Sequence, residues 1–169
     1  MKKLLLVLVG FTLFGCAASD VSTPLDTTEI SGTLEAVDGL TYEFGDIDIN
    51  GGIVSREFAF ANQSDEPLYI YEATTSCGCT TGEIVTEAET FGPFGMRNES
   101  QSTITIDPNE TFKVRISYDP MFHGPTDLGV RQRSLFLFTS AAFDGTVVRQ
   151  YEGQPNFTEM SVSGTVVSS

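Results

Sequence analysis

The chain has 169 residues and carries 9 Lys and Arg against 23 Asp and Glu, a formal net charge of −14 at pH 7. That balance argues against nucleic acid as a partner, because such binding rests on neutralising phosphates with Lys and Arg. It argues equally against docking on anionic lipid by charge, while an acidic surface keeps a protein soluble and self-repelling.

The first element is an export signal. Lys2 and Lys3 supply a positive start, residues 4–14 form an apolar run, and Gly15 and Cys16 follow directly. The run is too short for a membrane-spanning helix, which needs about 20 residues, and fits a cleavable signal of about 7–15. Leu13-Phe14-Gly15-Cys16 resembles a lipobox, although Phe14 stands where small or β-branched residues are usual. The resemblance implies that Cys16 is acylated and becomes the first residue of a lipoprotein; the alternative is an ordinary secretory signal cut elsewhere. Residues 1–15 are then the signal peptide. Residues 16–31 are the lipidated cysteine and a small, Thr-rich flexible tether, and residues 32–169 form one domain. The expected location is the bacterial cell envelope, with the protein held by its lipid on the periplasmic leaflet or the cell surface. Removing the signal leaves 7 basic residues against 23 acidic ones, a net charge of −16.

Beyond the tether, period-two alternation recurs and long helical periodicity does not. Tyr42, Phe44 and Asp46 share one face of a first segment, and Val54, Phe58 and Phe60 share a face of the next, interrupted by Arg56. Leu68 and Ile70 open a third segment after Pro67. Phe112, Val114, Ile116 and Tyr118 alternate with Lys113, Arg115 and Ser117 in the cleanest strand of the chain. Residues 135–138 read as a more fully buried strand, and Met160, Val162, Gly164 and Val166 as the last. Turn clusters such as Asn50-Gly51-Gly52, Asp107-Pro108-Asn109 and Asp119-Pro120 separate them. The pattern predicts an all-β, immunoglobulin-like antiparallel sandwich of about seven strands. With 13 Phe and no Trp, its core should rest on Phe and Val.

Phe44-Gly45, Ile47, Gly51, Val54, Phe58, Phe60, Asn62, Pro67-Leu68, Ile70 and Ser76-Cys77-Gly78-Cys79-Thr80 resemble the core motif of an uncharacterised bacterial family of envelope proteins. Pro108-Asn109-Glu110, Tyr118-Asp119-Pro120 and Gly124 continue the likeness, which covers roughly residues 40–140. Domains of that family are similar to Hydin-type (ASH) and major-sperm-protein-like immunoglobulin folds. The resemblance implies a fold and brings no activity with it. Residues 81–103 depart from the pattern as an unusually long stretch rich in Gly, Glu and Ser.

The Ser-Cys-Gly-Cys-Thr run carries the most chemistry. If Cys16 bears lipid, the other two of the three cysteines, Cys77 and Cys79, form a pair. In an extended strand their Cα atoms would lie about 6.6 Å apart, so a disulfide requires Gly78 to bend the chain. Three readings stay open: a structural pair, a soft-metal site for copper or zinc, and a redox-active thiol pair. Immunoglobulin topology would bring Met121 and His123, the sole histidine, to the same pole as auxiliary ligands. Separately, Asp46, Asp48, Asn50 and Glu57 match EF-hand loop spacing, but their flanks alternate like strands, which leaves at most a calcium-binding turn. Standard catalytic signatures are missing. The expectation is a non-enzymatic binding or assembly module, able to recruit a protein partner by strand-edge addition. The alternative is a metal-binding or thiol-redox protein built on Cys77 and Cys79.

Overall fold

The structure is a computed structural model that describes residues 34–97, 103–141 and 156–168. The signal segment, Cys16 and the tether lie outside the described residues.

Ten strands and no helix make up the described chain: β1 (Leu34–Ala36), β2 (Thr41–Asp48), β3 (Val54–Asn62), β4 (Leu68–Thr75), β5 (Thr80–Val85), β6 (Thr90–Phe94), β7 (Ile104–Ile106), β8 (Thr111–Tyr118), β9 (Gly129–Ser140) and β10 (Phe157–Val167). They form two five-stranded sheets, ordered β1-β3-β8-β5-β6 and β2-β10-β9-β4-β7. The immunoglobulin-like sandwich expected from the alternation is therefore present. Seven strands have six or more residues. The three extra ones, β1, β6 and β7, are short edge strands. An edge strand of three to five residues carries too little alternation to be read from sequence; the long stretch at residues 81–103 contains β6 and most of β5. Pairing is antiparallel throughout except between β2 and β10, which run parallel. β2 is also the one edge strand longer than five residues.

Phe58, Phe60, Phe112, Val114 and Ile116 of one sheet face Leu68, Ile70, Leu135, Leu137, Met160 and Val162 of the other, all essentially inaccessible to water. Phe60 and Phe112, opposite each other on β3 and β8, stack at 5.5 Å between ring centroids. Among the buried residues described, seven Ile and five Phe exceed three Val, so the core is built chiefly on Ile and Phe. At the opposite end from the tight β3–β4 turn, Ile47, Ile49, Tyr118, Val166 and Cys79 form a second, smaller cluster. Buried Asn62 secures the β3–β4 turn, donating from Nδ2 to the carbonyls of Glu66 and Ile106 at 3.0 and 3.1 Å.

Glu57 is not brought to the other three candidate calcium ligands. Asp46 and Asp48 lie on β2 and Asn50 in the following turn, whereas Glu57 lies on β3 in the other sheet. Glu57 accepts from Lys113 Nζ at 2.9 Å and from Arg115 Nη2 at 2.7 Å, and Arg115 also reaches Glu83 at 2.7 Å. The Lys113 and Arg115 hydrogen bonds hold the Glu57 carboxyl below its ordinary range. Its charge is thus committed to a cross-strand ion network on the outer face of the sheet. Partly exposed pairs of this kind contribute little stability each.

Candidate functional site

The chain crosses from one sheet to the other between β4 and β5, and residues 76–79 form that corner. Several hydrogen bonds pin it. Ser76 N–H donates to the Ser134 carbonyl and Ser134 N–H to Ser76 Oγ, both at 2.9 Å, which ties the corner to β9. Asp119 N–H donates to the Cys79 carbonyl at 3.0 Å, tying it to the end of β8. Within the corner, Thr75 Oγ1 donates to the Cys77 carbonyl at 3.0 Å, and Thr80 N–H donates to the same oxygen at 3.1 Å.

This turn draws the Cys77 and Cys79 Cα atoms to 5.2 Å, and the two residues are joined as a disulfide. The separation is well inside the usual disulfide range and shorter than an extended strand allows. The bend required at Gly78 is there. The Phe122 ring lies against it, so a Cβ at this position would sit 3.3 Å from Phe122 Cζ.

The β8–β9 loop supplies the other wall. Asp119 Oδ1 accepts from Met121 N–H at 2.9 Å, and Gly124 N–H donates to the Met121 carbonyl at 2.8 Å. The Asp127–Arg131 ion pair closes the loop onto the start of β9. His123, exposed at its tip, places Nε2 3.4 Å from Cys77 Sγ. Its ring meets Phe122 edge-on at 5.0 Å. Cys77 Sγ, Cys79 Sγ and one His123 ring nitrogen lie within 4.8 Å of one another. The cluster at one pole expected from sequence is thus assembled from two loops 46 residues apart. Met121 sits on the same loop, two residues from His123 and partly exposed.

One member was missed. Arg133 on β9 directs Nε–H at Cys79 Sγ from 2.9 Å, and its guanidinium lies 5.2 Å over the Tyr118 ring. A signal for it exists in the sequence, because Arg133 stands two and four residues before Leu135 and Leu137. Period two therefore puts it on the inward face of β9, and an arginine at an inward position marks a charge with a task. The burial of Tyr118 pushes its phenol above the ordinary range, and its hydroxyl has no hydrogen-bond partner among the described residues.

The two sulfurs differ. Cys79 is 3% exposed and packs in the apolar cluster with Tyr118, Ile47, Ile49 and Val166, whereas Cys77 is half-buried at its margin. Around the same pole Phe122, Leu128 and Val130 are exposed apolar side chains, with Val130 at 75%.

Residues 36–96 match the model of a family described as "Protein of unknown function (DUF1573)". The matched span runs through β2 to β6 and includes Cys77 and Cys79. No curated protein matches the chain. Among solved structures, a protein of unknown function from Porphyromonas gingivalis W83 superposes with a TM-score of 0.54 at 15% identity. The match covers 86% of this chain and 51% of that one, so the present chain spans about half its length. The ASH/PapD-like domain 7 of human CEP192 gives 0.49 at 11% identity, over 92% of this chain and 99% of that domain. The Caenorhabditis elegans MSP-domain protein SSP-19 gives 0.37 at 11%, over 73% and 94%. At such identities the likeness concerns the fold alone, and the fold is an immunoglobulin-like β-sandwich.

Proposed function

We propose that this chain is a binding module displayed from the cell envelope, and that it captures a thiol-bearing partner by reversible exchange at the Cys77–Cys79 disulfide. The observation that carries the reading is the unequal setting of the two sulfurs. Cys77 is the accessible one, while Cys79 is buried with the Arg133 Nε–H 2.9 Å from its sulfur. Exchange goes through attack of a thiolate on one sulfur and departure of the other as thiolate. The partner's thiolate attacks Cys77 Sγ, a new S–S bond forms there, and the Cys77–Cys79 bond breaks. The electron pair leaves on Cys79, where Arg133 offers a charge-assisted hydrogen bond. The reverse step, attack by the Cys79 thiolate on Cys77 Sγ, expels the partner and restores the disulfide. The exposed Phe122, Leu128 and Val130 give an apolar-flanked partner cysteine a surface to rest on.

The test uses single-cysteine variants incubated with oxidised glutathione. Cys79→Ser should accumulate a stable glutathione adduct on Cys77, read by intact mass and peptide mapping, whereas Cys77→Ser should react far more slowly through buried Cys79. Equal reactivity of the two, or reaction only after unfolding, would return the pair to a purely structural role.

Display from the membrane is the second part of the proposal. It rests on Cys16 following the apolar run directly and on an oxidising compartment being where such a disulfide persists. Wild-type protein should partition into a detergent phase, and Cys16→Ser should remain unprocessed or be released to the aqueous phase. A mature N-terminus at any residue other than Cys16 would refute the anchor.

A further inference from the structure

We infer that, once an external two-electron reductant (a dithiol or a phosphine, itself oxidised in the step) has opened the disulfide to two thiols, the same pole binds a single Cu(I) ion through Cys77 Sγ, Cys79 Sγ and His123 Nε2. This goes beyond the exchange reading and does not depend on it.

Geometry comes first. Two ligands of one ion cannot be farther apart than the sum of their bonds, roughly 4.3–4.6 Å for metal–sulfur and metal–nitrogen distances of about 2.3 and 2.0 Å. The three atoms here fall within 4.8 Å of one another, and Cys77 Sγ and His123 Nε2 are already at 3.4 Å. The remaining adjustment falls to the exposed His123 side chain. Breaking the S–S bond frees both sulfurs to separate around an ion.

Chemistry selects the ion. Thiolate ligands favour Cu(I) and Zn²⁺ over harder cations, and imidazole suits copper as well as zinc. Zinc on three protein ligands keeps a water or substrate in a fourth position, whereas the three donors here are enough to complete the shell of Cu(I). Charge points the same way. Two thiolates with a monovalent ion carry a net −1, which the Arg133 guanidinium beside Cys79 offsets. The same thiolates with Zn²⁺ are neutral and would leave that guanidinium beside an uncharged centre. The apolar cluster of Ile47, Ile49, Tyr118 and Val166 around Cys79 lowers the local polarity and strengthens both attractions.

The experiment uses the full-length chain in detergent, reduced with a phosphine under nitrogen and competed against a chromogenic Cu(I) chelator. The expected result is one Cu(I) per reduced chain, none in the oxidised protein, and loss of binding in both Cys77→Ser and Cys79→Ser. His123→Ala alters an exposed loop side chain and should leave the fold intact while weakening Cu(I) at least tenfold. X-ray absorption of the loaded protein should report two sulfurs and one nitrogen. No binding by the reduced chain, unchanged affinity in His123→Ala, or preferential loading of Zn²⁺ from an equimolar mixture would each overturn the assignment. Glutathione adduct formation on Cys77 requires no metal. A chain that exchanges thiols but ignores Cu(I) therefore refutes only this inference, and the opposite outcome refutes only the exchange reading.

Discussion

Replacing Arg133 with Met is expected to slow opening of the Cys77–Cys79 disulfide by external thiols about 10- to 100-fold. The Nε–H of Arg133 lies 2.9 Å from Cys79 Sγ, and the interaction strengthens as negative charge develops on the departing sulfur. Hydrogen bonds to charged groups contribute roughly 1.5–3 kcal/mol, and each ~1.4 kcal/mol corresponds to a tenfold change in rate. Methionine keeps much of the length and apolar stem of the side chain and removes the charge. Arg133→Lys restores a charge without the planar fork that lies over Tyr118, and should fall between the two. The measurement is the second-order rate of reduction by a small thiol at fixed pH. Thermal melting of the oxidised proteins, run in parallel, separates this effect from a loss of packing. A rate within twofold of wild type would remove Arg133 from the chemistry and leave it as a packing residue over Tyr118.

Ile116→Ala is expected to destabilise the domain by about 2–5 kcal/mol, as large-to-small changes in a well-packed core do. Ile116 is fully buried on β8, the central strand of its sheet, with Arg56 of β3 and Gly82 of β5 as its cross-strand neighbours. Strands flank β8 on both sides and the second sheet covers its inner face, so the neighbours have little room to collapse into the cavity. Chemical denaturation of the oxidised protein measures the loss directly. The neighbouring outward residue offers a control: Ser117→Ala, which removes only a half-exposed hydroxyl bonded to Ser55 Oγ at 2.8 Å, should cost no more than about 1 kcal/mol. A cost below about 1 kcal/mol at Ile116 would mean that β8 does not carry the core.

Some of this protein was legible in its residues alone. The strict alternation of Phe112, Val114, Ile116 and Tyr118 is buried at each of those positions and more exposed between them. Met160, Val162, Gly164 and Val166 on β10 are likewise buried, with half-buried residues between them. Period two follows from the geometry of a single strand, so it survives without knowledge of any partner. The Cys-Gly-Cys corner was legible for a similar reason, since its chemistry is local and needs only the bend at Gly78.

What lay between strands was decided by the tertiary structure. The EF-hand spacing around Asp46 and Glu57 is satisfied along the chain, but β2 and β3 belong to opposite sheets, and Lys113 and Arg115 claim the Glu57 carboxylate. The short strands β1, β6 and β7 are defined by the neighbours they pair with, because three to five residues have no pattern of their own. Gly164 reads as one more position on the last strand, yet a Cβ there would stand 2.9 Å from the Gly45 carbonyl, at the point where β10 meets β2 in parallel. Arg133 and His123 likewise reach the two sulfurs from separate stretches of chain. The residues by themselves determined which chemistry was available, the fold class and where its strands alternate. Which side chains meet, and so which sulfur is open to attack and which is held by a cation, depended on contacts between residues 46 and 54 positions apart. No local periodicity encodes contacts at that range, because they are set by how the two sheets pack and where the loops between them land.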